Sequence, residues 1–536
     1  MSRLGVGVVA SFRRRLAGSG IRFRYSPGEP AARATEEPAR MSQTESHDRQ
    51  HPTLTLGVLS LSALAYILLQ SMVLPALPEI GRALHTSQST VAWVLTAYLI
   101  SASVATPVLG RLGDMFGKKK VLLIVLACLI VGSLLAALTS SVPVMLTARV
   151  IQGAGGAIFP LSFSIVRDEF PRERVAGAIG MLSALIGVGA GVAIVIAGPI
   201  VDNLSIHWLF WIPAVMTALA LVATIFWVPE SPITAPGRIN PLAVLTLSGW
   251  LVALLLAVSE GGQWGWLSAR VIGLFVAAVV LLIAWIMIEV RAEQPLVDVG
   301  MMRIPAVWWT NISAMLFGFG MYSVMIVVPA FLQTPSSAGY GFGASITKSG
   351  LALLPLSGAM LIAGILTGRF STRYGSKVPL VAGSVLSAIG MLFLSVAHDS
   401  EWNFYAAMAL VGFGIGFAFS AMSNLVVEAV PPGQTGVATG MNANVRTIGG
   451  AIGSQIVASI IAAGIVQGAL PKEHGYELSF IVLGAGLVLA GVAAAFVPSR
   501  ANRASPTDGH EFDTLTVDPG IIGPAEAGLA IGEHRH

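Results

Sequence analysis

Polar residues in this chain fall in narrow bands, and long apolar runs separate them. A run of about 20 apolar residues is what a helix needs to cross a bilayer. By that criterion the pattern predicts fourteen spans, at 54–76, 91–111, 121–139, 144–166, 176–201, 208–228, 242–258, 271–289, 308–332, 349–368, 378–397, 403–426, 438–465 and 479–497. A membrane β-barrel would instead present short alternating segments. The expected fold is therefore an all-α membrane protein. Residues 1–53 are polar, rich in Arg, Pro, Ser and Glu, and have no apolar core long enough for a signal peptide. They read as a disordered cytoplasmic tail, and Met41, shortly before the first apolar run, offers an alternative start. Residues 498–536 read as a second disordered tail.

Composition agrees. Mean hydropathy is +0.78 and only 11% of residues are charged, against about 25% in soluble proteins. Cys128 is the only cysteine, so neither a disulfide framework nor a cysteine metal site is expected. The sequence carries no phosphate-binding Gly-x-x-x-x-Gly-Lys-Ser/Thr loop, no Gly-x-Ser-x-Gly and no His/Glu metal motif. An ATP-driven pump, a membrane hydrolase and a cofactor enzyme are all disfavoured. The net charge of +4 sits in loops and does not form a nucleic-acid patch.

Loop charge also gives an orientation. With the N-terminus in the cytoplasm, inner loops hold 13 Lys and Arg residues, among them Arg111, Lys118, Lys119, Lys120, Arg172 and Arg369, and outer loops hold four: Arg82, Arg270, Lys348 and Lys472. Positive loops stay inside, so both termini are expected in the cytoplasm, with the protein in the cell membrane.

One polar band repeats. Residues 110–123 read GRLGDMFGKKKVLL, and residues 368–377 read GRFSTRYGSK. Gly110, Arg111, Gly117 and Lys119 find counterparts in Gly368, Arg369, Gly375 and Lys377. If the seventh and eighth spans are set aside, each band is the loop after the second helix of a six-helix half. Two related halves are the plan of a transporter that rocks about a central site. The expected domains are a six-helix half at 54–228, a two-helix insert with its loops at 229–307, and a second six-helix half at 308–497.

Here the chain resembles the major facilitator superfamily, in its fourteen-helix drug:proton antiporter branch. The first band matches that superfamily's loop motif at Gly110, Gly113, Asp114, Gly117, Lys118 and Lys119. The resemblance implies a conformational latch. The two early glycines permit close helix packing, Gly117 a tight turn, and Asp114 a contact with a helix N-terminus. Thr372 stands where the second copy would need the aspartate. The fourth span, LTARVIQGAGGAIFP, resembles the arginine-containing helix of the superfamily, and Arg149 inherits a role in proton coupling, with Gln152 beside it. GMNANVRTIGGAIGSQI is typical of the branch and puts Asn442 and Arg446 on one helix face.

Two departures matter. In GVGAGVAIVIAGPIVD, Gly187, Gly191, Gly198 and Pro199 are the expected bending points of the helix, but Ala193 and Ile194 occupy the place of the branch's Gly-Pro, and Gly198 and Pro199 come later. No acidic residue falls clearly inside a span, which leaves Asp114 and Asp202 as titrating candidates. The resemblance implies proton-driven efflux of small amphipathic molecules by a monomer, with substrate, protons and the bilayer as partners. The altered fifth span leaves uptake or exchange of a metabolite as the alternative, and a non-transporting sensor behind that. A cavity with Arg149 and Arg446 but no buried carboxylate should favour neutral or anionic substrates and disfavour multiply charged cations.

Overall fold

The computed structural model describes residues 52–231, 237, 239–463 and 471–498. Residues 1–51 and 499–536, most of the two expected tails, lie outside the described residues. Everything described is helix, turn or coil, and fourteen helices are long and apolar enough to span a membrane.

The first span is two helices, α1 (Pro52–Ser71) and α2 (Val73–Ala83), parted at Met72. Pro75 falls in the first turn of α2, where a missing N–H costs nothing. α3 (Gln88–Phe116) and α4 (Lys118–Leu138) are separated by Gly117 alone. The fourth span breaks into α5 (Val142–Gln152), a tighter turn at Gly153–Ala157, and α6 (Ile158–Glu169). α7 (Arg172–Asn203) and α8 (Trp208–Trp227) complete the first half. The insert contributes α9 (Pro241–Trp264), α10 (Ala269–Arg291) and the short α11 (Val299–Met302). The second half runs through α12 (Pro305–Gln333), α13 (Ile346–Leu351), α14 (Leu354–Tyr374), α15 (Lys377–Val396), α16 (Glu401–Ala429), α17 (Thr435–Ala463) and α18 (Glu473–Ala495).

Apolar side chains gather into three cores. One draws on α1 to α8 and one on α12 to α18. The third joins Ala243, Leu247 and Trp250 of α9 to Trp285 of α10 and to Val437 and Met441 of α17, with Val104 and Val108 of α3 packed against it. The insert thus covers the seam between α3 and α17. Its outer helix α10 leaves Val276, Val280 and Ile283 exposed, as a lipid-facing helix does. The buried Glu289 fixes the following turn, accepting from Trp285 Nε1 at 3.1 Å and from the backbone N–H of Leu296 at 2.9 Å.

One expectation is corrected. The band GRLGDMFGKKK is not a loop. Gly110–Phe116 form the last turns of α3, and only Gly117 turns the chain, at φ 109°. The second copy behaves alike: α14 runs to Tyr374, and Gly375 turns at φ 79°. Both conformations are ones that glycine adopts without strain. The polar residues did not end the helix, because helices that outrun the apolar slab keep their hydrogen bonds at its edge.

Small residues set the packing within each half. A Cβ on Gly453 would stand 2.8 Å from the Phe319 Cα, and one on Gly449 would meet the Met315 carbonyl oxygen. Gly449→Val should therefore cost about 1–3 kcal/mol through overpacking, read as a lowered unfolding temperature of purified protein. Gly273→Ala, where a Cβ meets nothing within 4 Å, should leave that temperature unchanged or slightly raised.

Candidate functional site

The closing contacts lie at the end of the bundle that carries Lys118–Lys120 and Arg369, here called the basic end. Gly110 brings α3 onto α17: a Cβ there would stand 2.7 Å from the Gly436 carbonyl oxygen. One turn on, Asp114 is fully buried, and its two carboxylate oxygens accept from the N–H groups of Gly436 at 3.3 Å and Val437 at 3.2 Å. These are first-turn amides of α17, whose partial positive charge suits an anion. The contact continues through Asn444, which donates to the Ser103 carbonyl at 2.6 Å. Arg167 also crosses between the halves, donating to Thr435 Oγ1 and to the Val430 carbonyl, both at 2.7 Å.

The second copy of the band makes the matching contact without its carboxylate. Gly368 of α14 meets Gly177 of α7, with a built Cβ 2.6 Å from the Gly177 Cα. Thr372, at the aspartate's place, donates to the Arg369 carbonyl of its own helix at 2.9 Å. The first seam has a buried carboxylate beside its glycines; at the second, α7 meets the glycines of α14 and accepts from Ser420 and Asn424 of α16, at the carbonyls of Gly180 (3.3 Å) and Ala176 (3.4 Å).

The lysines of the band act within the first half. Lys118 is buried and pairs with Asp168, which also accepts from Ser231. The Lys119 N–H donates to Glu230 at 3.2 Å, and Lys119 Nζ donates to the Ile225 carbonyl at 2.9 Å. They tie the α3–α4 turn to the end of α6 and to the strand of chain leaving α8. The Gly113 face packs on Leu161.

Arg149 is fully buried and does not reach an interface. Its Nε donates to the Val94 carbonyl at 3.0 Å, its Nη1 donates to Gln152 Oε1 at 2.7 Å, and the guanidinium lies 4.4 Å from the Tyr98 ring centre. Gln152 in turn donates to Ser133 at 3.2 Å. The other Arg149 Nη nitrogen is buried without a partner among the described residues, a costly state that a bound acceptor would relieve. The break after Gln152 lets Gly153 sit against Ser101 and Ala102 of α3, with a built Cβ 2.8 Å from the Ala102 nitrogen.

Arg446 answers from the second half, stacked 4.4 Å from the Phe419 ring centre, with no ion pair among the described residues. Tyr66 packs beside Tyr98, ring centres 6.5 Å apart, so a pair of tyrosines lies next to Arg149. Asn442 is less available: it donates to Asn311 at 2.8 Å in a pair that joins α12 to α17. On α7, Gly187 lies against Met360 and Gly191 against Ser357, so both are points of close approach to α14. Gly198 has open space around it, and Pro199 lies inside a continuous helix. The Asp202 side chain lies outside the described residues.

Two helical bundles that meet at the basic end through α3–α17 and α7–α14, with Arg149 in one and Arg446 in the other, fit the two-half plan of a membrane transporter. The family model for the Major Facilitator Superfamily matches residues 59–454, and the chain belongs to that superfamily. It is a multi-pass membrane transporter and not an enzyme. Its relatives include "Multidrug resistance protein 3" of Bacillus subtilis, 29% identical over 69% of this chain and 72% of that one. The "Tetracenomycin C resistance and export protein" of Streptomyces glaucescens is 27% identical over 80% and 79%. The "Multidrug resistance protein Stp" of Mycobacterium tuberculosis is 29% identical over 76% of each. Among solved structures, the human organic anion transporter MFSD10 (TETRAN) superposes with a TM-score of 0.60 at 16% identity, over 83% of this chain and 100% of that one. The proton:xylose symporter XylE superposes with a TM-score of 0.59 at 15% identity, over 83% and 96%. Both likenesses concern the fold.

Arg149→Lys should not replace the arginine, because a lysine lacks the fork that reaches Val94 and Gln152 together. It should lower transport about as much as Arg149→Gln while the protein still reaches the membrane. Transport by the lysine variant near the wild-type rate would assign Arg149 a charge role alone.

Proposed function

We propose that the chain is a proton-coupled exporter of small neutral or anionic amphipathic molecules, working by alternating access as a monomer in the cell membrane with the basic end cytoplasmic. The observation that carries this reading is that Arg149 and Arg446, one in each half, stack on Tyr98 and Phe419 and have no ion-pair carboxylate among the described residues. A dication would lose hydration there without gaining a counter-charge. An anionic group would gain the unpartnered Arg149 donor and the stacked Arg446.

Export is supported by the printed names of the relatives, three of which are resistance or export proteins. The cytoplasmic orientation of the basic end is supported by the excess of Lys and Arg in its loops. Asp114 is held by α17 amides when the basic end is closed. A proton on it would weaken those bonds, so protonation and opening of the basic end would be linked.

The test is retention of lipophilic dyes, one anionic, one neutral and one dicationic, in cells expressing the chain. Lower retention of the anionic and neutral dyes, abolished by a proton uncoupler, is expected. Preferred export of the dication would overturn the substrate class, and uptake in place of export would favour the metabolite importer suggested by Ala193 and Ile194. Arg446→Gln should weaken transport of the anionic dye by about 10–100-fold, the loss of one charge-assisted contact, and leave the neutral dye little changed. Equal loss for both would make Arg446 a packing residue.

A further inference from the structure

A crevice of about 390 Å³ opens at the basic end between α1, α7 and α14, away from the arginines of the central site. Its walls combine two chemistries. Arg174 of α7 and Arg369 of α14 supply guanidiniums, while Leu56, Phe170 and Ile365 supply apolar surface. Both arginines are exposed, and neither has an ion-pair partner among the described residues. Glu173 also lines the crevice, which leaves one net positive charge.

The level of the crevice in the fold says what meets it. α1 begins at Pro52, α7 begins at Arg172 and α14 ends at Tyr374, so three spanning helices terminate together here. That is the depth of lipid headgroups, where basic side chains meet anionic lipid. We propose that this crevice binds the headgroup of an anionic phospholipid, a singly charged phosphodiester of the phosphatidylglycerol type. The arginines take the phosphate, and the lipid's upper chain lies on Leu56, Phe170 and Ile365. The assignment to the inner leaflet rests on the orientation proposed above.

The site belongs to one state. Its floor is the Gly177–Gly368 contact between the two halves, where a Cβ would stand 2.6 Å from the opposing backbone. Arg174 and Arg369 belong to different halves. When the basic end opens they part, and the phosphate loses its clamp. A bound lipid therefore favours the closed basic end by the difference in its affinity for the two states.

The experiment uses the full chain in nanodiscs of phosphatidylcholine, with or without phosphatidylglycerol. Both leaflets are then alike, so the result does not depend on orientation or on transport. Native mass spectrometry reads retained lipid, and spin labels at Phe116 and Pro432 read closure of the basic end. Wild type should retain phosphatidylglycerol and close more in its presence. Arg174→Gln with Arg369→Gln should lower retention by about tenfold and abolish the closing response. It should match wild type in phosphatidylcholine, which checks that it is folded. Arg291→Gln with Arg303→Gln, at the basic end but outside the crevice, should behave as wild type. Equal loss in that control would mean general surface charge and would overturn the site. So would closure by soluble glycerol phosphate in phosphatidylcholine nanodiscs, which would make it a soluble-anion site.

Discussion

The structure depends on backbone meeting backbone across the two halves. At α3 and α17 the approach is made by Gly110 and Gly436, and at α7 and α14 by Gly177 and Gly368. Lipid offers no hydrophobic force to press helices together, so close van der Waals contact and polar bonds must hold such seams. Contacts of this kind are strong at short range and vanish with a small separation, which is what a two-state transporter needs. Asp114 adds a carboxylate that accepts from two amides of the α17 N-terminus. A side chain larger than hydrogen at either glycine pair would hold the seam apart.

Charges at the basic end divide into those that stay and those that part. Lys118, Asp168 and Ser231 bind elements of the first half and its outgoing chain. Asp114 and Arg167 reach α17 and the turn before it. Rocking can break the second set and leave the first intact. The insert bears on the same seam, since α9 packs on both α3 and α17. It is not a detached pair of helices, and any motion of α17 must slide against it.

Much of this was legible in the sequence. Fourteen apolar runs gave the helices, because a bilayer imposes length and hydropathy strongly. The family resemblance of GRLGDMFGKKK drew attention to Gly110 and Asp114, and both meet α17. What was not legible depended on distant chain segments. Asp168 and Arg167 adjoin in sequence, yet one binds Lys118 and the other reaches Thr435. No local pattern assigns those partners. The loop reading of residues 112–116 failed because charged residues at a membrane edge look alike in a loop and in a helix end. Gly187 and Gly191 suggested bending, but a glycine that bends and one that lets a neighbour approach have the same spacing. The insert's place over the α3–α17 seam had no signal at all beyond apolar faces.

The central claim is that the two ends of the bundle open in turn. The most direct measurement is a pair of distance distributions by pulsed electron resonance in membranes, with labels at Phe116 and Pro432 across the basic end and at Thr90 and Ala462 across the other. The account predicts that lowering pH or adding a transported compound moves the two distributions in opposite directions, one widening as the other narrows. If both widen together, or neither moves while transport proceeds, the halves do not rock about the central arginines and the account is wrong.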